Sequence, residues 1–388
     1  MVEIGSKLRL GMLVAAIVVQ TSCAMWDDFL AADRVAAAPE REPLAQRVPQ
    51  EPLDPNTFVL DNPEQQVIGQ VQVVFASETD TFSELAREYG LGYDEVVDAN
   101  PGVDPWIPGE GTAIILPTQF VLPRAAKRGI VLNIAAKRLF YFPEPEDGEA
   151  RVVMTYPIGI GRVGWETPLG AAEVISKARD PHWWVPVSVR KEHAELGDPL
   201  PAVVPPGPDN PLGRYVLKLD MPGYLIHGTN QPYGVGMRVS HGCVRLYPEN
   251  IETLYPLVAL GAAVEIVNQP YLAGYLDGEL YFEGHTPLED DDVSSVDQLV
   301  EALSGLDVGA VVDRRALIAQ MESVATQGLG VPVRVQRNDV AEVLERARLV
   351  RNTVEADPDV PTLAEVRALL DEPLEPDATE PDDGGSDE

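Results

Sequence analysis

The sequence predicts a mainly β central domain, a small α+β module before it and an α-rich extension after it. Three observations predict this. Between about residues 129 and 269, short runs of β-branched and aromatic residues alternate with Gly and Pro turns, the pattern of a β-sandwich or barrel. Between about 67 and 118, a strand, two short helices and a strand follow one another. Beyond about 295, apolar residues recur at helical spacing.

Taken in order, the chain opens with Lys7 and Arg9, then an apolar run from Leu8 to Val19, too short to span a bilayer comfortably. Residues 1–24 therefore read as a signal peptide. Ser22-Cys23-Ala24 fits cleavage after Ala24, and Thr21-Ser22-Cys23 is a loose lipobox that would make Cys23 a lipidated first residue. Either route takes the protein out of the cytoplasm. Residues 25–66 are rich in Ala, Pro, Glu and Arg without apolar periodicity and read as a linker.

In the module, Gln70 to Phe75 reads as a strand. Thr81 and Glu84 form a capping box that opens a helix with Phe82, Leu85, Ala86 and Tyr89 on one face. A second helix spans Tyr93 to Ala99, Asn100-Pro101-Gly102 turns the chain, and Thr112 to Leu116 closes as a strand before Pro117. The central domain carries strand candidates at 129–134, 139–142, 152–158, 172–176, 215–219, 224–227 and 263–267. Asp180 to Trp184 and the Pro-rich stretch 199–211 interrupt them as a loop or lid. Trp183 and Trp184 suit either stacking on a ligand or packing, while His182 and His193 read as surface residues. A short helix begins at Pro248. Residues 270–370 form the extension: a hairpin turning at Asp277-Gly278, helices at 296–303, 314–326, 340–351 and 363–370, and a strand at 331–335. Residues 371–388 are acidic without a base and read as a disordered tail.

The 388 residues suit two or three domains, and the net charge of −33 argues against nucleic acid and anionic membrane surfaces as partners.

Chemistry concentrates in one place. Tyr224-Leu225-Ile226-His227-Gly228-Thr229 is followed, after twelve residues that separate His227 from Ser240, by Ser240-His241-Gly242-Cys243-Val244-Arg245-Leu246. Beyond the N-terminal segment Cys243 is the only cysteine, so no disulfide within the mature chain accounts for it. Gly234 and Gly236 allow the connecting segment to bend. A glycine before a cysteine leaves two successive N–H groups to point at an oxyanion. His227 and His241 are the imidazoles at hand to activate the thiol. A zinc site from His227, His241 and Cys243 is set aside, because no fourth ligand has suitable spacing. We expect no metal and no cofactor.

This string resembles the active-site signature of the L,D-transpeptidase catalytic domain known as YkuD, in which His-Gly is followed at a distance by Ser-His-Gly-Cys and, two residues on, Asn or Arg. Tyr156-Pro157-Ile158-Gly159 and Thr167-Pro168-Leu169-Gly170 add to the resemblance, which covers 129–269. It implies a YkuD-like β-sandwich or barrel, with Cys243 as nucleophile and His227 as proton acceptor and donor. It also implies that the Gly228 carbonyl orients His227 and that the Gly242 N–H serves the oxyanion. Arg245, Ser240 and His241 would lie on the substrate side. The implied partner is peptidoglycan. Cys243 would attack a tetrapeptide stem ahead of its terminal D-alanine, and the acceptor would be another stem (a 3–3 cross-link) or a lysine-ending lipoprotein. The module resembles LysM in its Asn100-Pro101 turn and its Ile114-Ile115-Leu116-Pro117 strand, while Thr79-Asp80-Thr81-Phe82 replaces the usual Gly-Asp-Thr-Leu. LysM implies glycan binding; a structural spacer is the alternative. The overall arrangement looks most similar to enterobacterial-type members. Two competing readings stay open: an L,D-carboxypeptidase or endopeptidase with the same thioester, and a non-catalytic wall-binding protein.

Overall fold

The computed structural model describes residues 43–355, apart from 147, 290, 292–293, 309–312 and 336–339. The expected signal peptide with Cys23, the helix at 363–370 and the acidic tail lie outside the described residues. Residues 43–47 hold a single 3-10 turn, Leu44–Gln46; the described residues from Val48 onward form one compact unit.

That unit begins with β1 (Thr57–Val59), β2 (Val67–Gly69) and β3 (Gln72–Phe75). Helices α1 (Phe82–Glu88) and α2 (Tyr93–Ala99) precede β4 (Ala113–Leu116) and β5 (Gln119–Val121). Then come β6 (Gly129–Asn133), β7 (Arg138–Phe142), β8 (Val152–Pro157), β9 (Ile160–Gly161) and β10 (Gly170–Arg179). An insertion carries β11 (Trp183–Trp184), α3 (Val187–Glu195) and β12 (Val203–Val204). The chain returns through β13 (Tyr215–Leu219), β14 (Leu225–His227), β15 (Arg238–Ser240), β16 (Val244–Arg245), α4 (Pro248–Leu257) and β17 (Ala263–Val267). It continues with β18 (Tyr271–Leu276), β19 (Glu279–Gly284), α5 (Ser295–Ala302), α6 (Arg314–Ala325), β20 (Val333–Arg334), α7 (Val340–Arg346) and β21 (Arg348–Leu349).

The architecture is mainly β. A nine-stranded sheet runs in the order β1-β8-β7-β6-β17-β10-β13-β14-β16. Its inner face buries Ile130, Leu132, Leu139, Leu217, Ile226 and Val244 against Ile251 and Leu254 of α4. Proline at the first turn starts α4 without losing a hydrogen bond, since that N–H has no intrahelical partner. The α1 capping box forms: Thr81 Oγ1 accepts from the Glu84 N–H at 3.3 Å, and the Thr81 N–H donates to Glu84 Oε2 at 2.8 Å. The hairpin at Asp277 and Gly278 closes with both residues at positive φ, 51° and 79°, as the two-residue turn requires.

Three expectations are corrected. First, the stretch expected as a linker to residue 66 is folded from residue 48. β1 adds an edge strand to β8, and the Phe58 ring meets Phe120 edge-on at 6.2 Å. Apolar residues among the prolines find a core there. Second, the module at 67–118 and the central domain share one core. Val74, Phe82, Leu85 and Leu116 pack in the same cluster as Val131, Phe140 and Val153. Across that seam Arg138 of β7, 1 % exposed, makes a two-pronged ion pair with Glu95 of α2 at 2.8 and 2.7 Å. Third, the described part of the extension is mixed rather than α-rich. β18, β19 and β20 form a sheet. The expected helix at 340–351 ends at Arg346, and the residues after it pair in parallel with β3, Arg348 opposite Gln72 and Leu349 opposite Val73. Leu349 and Val350 are buried there, so burial at a sheet edge prevails over local helical spacing.

Candidate active site

The site is built on β14 and β16. They pair in parallel, Ile226 opposite Val244 and His227 opposite Arg245. Parallel neighbours need a long connection. It is supplied by 228–243, which contains a 3-10 turn at Pro232–Gly234 and the short strand β15 paired with β9. Paired residues point to the same side of a sheet, and so do residues two apart. His227, Arg245 and Cys243 therefore share one face.

The turn before the cysteine is held by hydrogen bonds. Ser240 Oγ donates to the Cys243 carbonyl at 2.6 Å and accepts from the Gly242 N–H at 3.1 Å. Thr167 Oγ1 donates to the Gly242 carbonyl at 3.0 Å and accepts from the Gly161 N–H at 3.1 Å. Gly242 has φ +97°, and a Cβ there would stand 3.0 Å from the Tyr224 ring. The positive φ favours glycine, and any side chain would also push the Tyr224 ring back by a few tenths of an ångström. Ser240 is fully buried, and its hydroxyl bonds within the turn.

The His227 ring is buried, with its Nδ1 2.6 Å from the Gly228 carbonyl. Nδ1–H donates there, which leaves Nε2 as the nitrogen able to take a proton. Burial, and next the Arg245 charge, push its pKa down to about 3, against the pull of the Gly228 and Leu212 carbonyls. The half-buried Cys243 thiol has Sγ 3.6 Å from the Gly223 carbonyl. Burial pushes its pKa up, while the Leu225 N–H and Arg245 draw it down. Both shifts favour the uncharged form of their group, a neutral thiol and a neutral imidazole. Arg245 Nε is buried with no hydrogen-bond partner among the described residues, and burial lowers the guanidinium's pKa. No carboxylate among the described residues makes an ion pair with it.

His241 is held by side chains from other segments. Its Nε2 meets Glu192 Oε2 of α3 at 2.7 Å and lies 3.2 Å from Arg162 NH2. The Trp165 ring meets its ring edge-on at 4.9 Å. The insertion thus holds His241, and burial lowers its pKa, with Arg162 and Arg245 adding to the fall and Glu192 opposing it. His193, expected at the surface, is half-buried with its ring 6.1 Å from that of His241. His182 is exposed, as expected. Sequence reasoning missed Glu192, Arg162 and Trp165. Arg162 directly follows the Gly159-Ile160-Gly161 string, which is the one local signal that marks the region. Among the described residues no group of three or more His, Cys, Asp or Glu is placed to hold a metal ion.

Residues 127–266 match the family model described as the L,D-transpeptidase catalytic domain, YkuD. The chain is 41 % identical over 236 residues to the Escherichia coli (strain K12) probable L,D-transpeptidase YbiS, covering 60 % of this chain and 76 % of that one. It is 36 % identical over 300 residues to the E. coli (strain K12) probable L,D-transpeptidase YcfS, covering 75 % and 91 %. Among solved structures, the catalytic domain of the Enterococcus faecium L,D-transpeptidase is 22 % identical, with a TM-score of 0.28, covering 37 % of this chain and 100 % of that one.

Proposed function

Because the chain belongs to the YkuD family of L,D-transpeptidases, we propose that it is a cysteine-dependent enzyme acting on peptidoglycan tetrapeptide stems. The observation that carries this reading is the parallel pairing of β14 with β16. It sets Cys243, His227 and Arg245 on one face, with the histidine tautomer selected by the Gly228 carbonyl.

The thiol proton passes to His227 Nε2 as sulfur attacks the carbonyl between the third, diamino-acid residue and the terminal D-alanine. Both groups start neutral, so transfer accompanies attack and no stored thiolate is needed. The C–N bond breaks, His227 returns the proton to the leaving D-alanine nitrogen, and a thioester remains on Cys243. An acceptor amine then attacks the thioester, losing a proton to His227; the C–S bond breaks, and His227 passes that proton to the departing sulfur, which restores the neutral thiol. Arg245 offers its unsatisfied guanidinium nitrogen to a substrate carboxylate. The N–H groups of Gly242 and Cys243 serve the oxyanion, and Gly242 does so by exchanging Ser240 Oγ for substrate. Losing one such donor typically costs ~10²–10³ in rate. The acceptor is another stem or a lysine-ending lipoprotein. Residues 67–118, whose order of strand, two helices and strand supports a LysM-like reading, contribute glycan contact. The chain works outside the cytoplasm, with residues 1–24 as its export signal.

The test is incubation of the purified full chain with tetrapeptide muropeptides, with products identified by mass, beside Cys243→Ala. Dimers with 3–3 linkage are expected from the native chain and none from the variant. Tripeptide monomers alone would move the assignment to a hydrolase. No thiol-dependent product would overturn it.

A further inference from the structure

Helix α3 is held to the molecule in an unusual way. Of its residues only Val189 is buried. One buried side chain gives a helix little hold, and a helix this short is marginal on its own. A polar contact is the other attachment. Glu192 lies three residues after Val189, on the same helix face, and it divides its carboxylate between two other segments. Oε1 pairs with Arg162, which follows β9. Oε2 accepts from His241 Nε2 at 2.7 Å. Arg162 NH2 is 3.2 Å from the same ring nitrogen, but two donors cannot bond to each other, so Glu192 sets the orientation of the ring. Trp165 closes the other side, edge-on at 4.9 Å. All three polar side chains keep 24–39 % exposure, so the cluster acts by fixing geometry rather than by the strength of a buried pair. His241 immediately precedes Gly242 and Cys243 in the turn described above.

We propose that Glu192 is a positioning residue for acyl transfer: through His241 it fixes the turn that presents Cys243, and it does so only while α3 is seated. Seating of the insertion at 180–214 and readiness of the thiol then become one event. The inference rests on Cys243 being the nucleophile.

The test measures acylation of Cys243 in the full chain by a carbapenem, followed by stopped-flow fluorescence and confirmed by mass. The chains compared are native, Glu192→Ala, Glu192→Gln, His241→Ala and the Glu192→Ala/His241→Ala double variant. Glu192→Ala is expected to slow the limiting acylation rate about 10- to 100-fold, the scale of a misplaced reacting group. The carbapenem concentration giving half that rate should stay within about twofold. The double variant should be no slower than the slower single variant, because both losses run through one contact. Glu192→Gln, which still accepts from the ring, should recover most of the loss. Should Glu192→Ala not fold, Glu192→Ser, too short to reach either partner, carries the same expectation. An unreactive native chain would refute the nucleophile itself. A reactive native chain would overturn the positioning role alone in any of three cases: Glu192→Ala within about twofold of it, losses that multiply in the double variant, or Glu192→Gln as slow as Glu192→Ala.

Discussion

Replacing Glu95 by alanine removes the partner of a cation that has almost no access to water. Arg138 is 1 % exposed, and both of its pronged contacts at 2.8 and 2.7 Å go to Glu95. What remains is the Gly90 carbonyl at 3.1 Å, Thr155 Oγ1 at 3.3 Å and the Phe120 ring, 4.1 Å below the guanidinium carbon. These soften the loss but do not neutralise the charge. Stranding one member of a buried pair costs about 3–5 kcal/mol. At roughly 2 °C per kcal/mol for a large cooperative unit, Tm should fall by about 6–10 °C. Because α2 and β7 share a core, the loss should spread. Hydrogen exchange followed by mass spectrometry should show reduced protection both in 93–99 and in 225–245. The Glu95→Leu/Arg138→Met pair should recover most of the stability, since apolar replacements remove the desolvation cost along with the attraction. A loss below about 1 kcal/mol, or reduced protection confined to 67–118, would refute the claim that module and catalytic domain are one cooperative body.

Three further outcomes are expected. His227 has a folded pKa of about 3, below its ordinary 6.5, so between these values the unfolded chain binds a proton that the folded chain does not. Stability should be complete above pH ~6.5 and fall by up to about 1.4 kcal/mol per unit toward pH 3; urea midpoints across pH should show a slope that flattens in His227→Gln. Arg245 holds the Cys243 thiol down against burial, so Arg245→Gln should move the alkaline rise of iodoacetamide alkylation to higher pH. Gly236 has φ +84°, and a Cβ there would lie 2.3 Å from Gly92 Cα, backbone against backbone, so Gly236→Ala should destabilise by more than ~1 kcal/mol, read as a lower Tm.

The sequence made some features legible because they are written in adjacent residues. Thr81 and Glu84 announce a helix start, Asp277 and Gly278 a hairpin, and the two strings around His227 and Cys243 carry their glycines where the backbone needs them. What stayed hidden depends on distant partners. Leu349 and Val350 continue a helical spacing and pair with β3 only because its edge is open and apolar. Glu192 looks like one more solvated acid in a chain full of them, and nothing nearby in sequence says that it meets His241. Phe58 reads as a stray aromatic in a polar stretch until Phe120 is beside it.

The pairing of residue 72 with residue 348 bears on how the chain is made. Synthesis delivers β3 long before its parallel neighbour, so the open flank of that ribbon stays bare while everything between them is made. Asn352 then ties the late strand down, its amide donating to the Phe75 carbonyl at 3.2 Å, to Ser77 Oγ at 3.1 Å and to Asp80 Oδ2 at 2.6 Å. A nascent chain with an unprotected flank is exposed to mispairing. Maturation of the amino-terminal module therefore waits on the last described residues to emerge, and a ribosome stalled before them leaves a product with its catalytic strings complete but its front end unfinished.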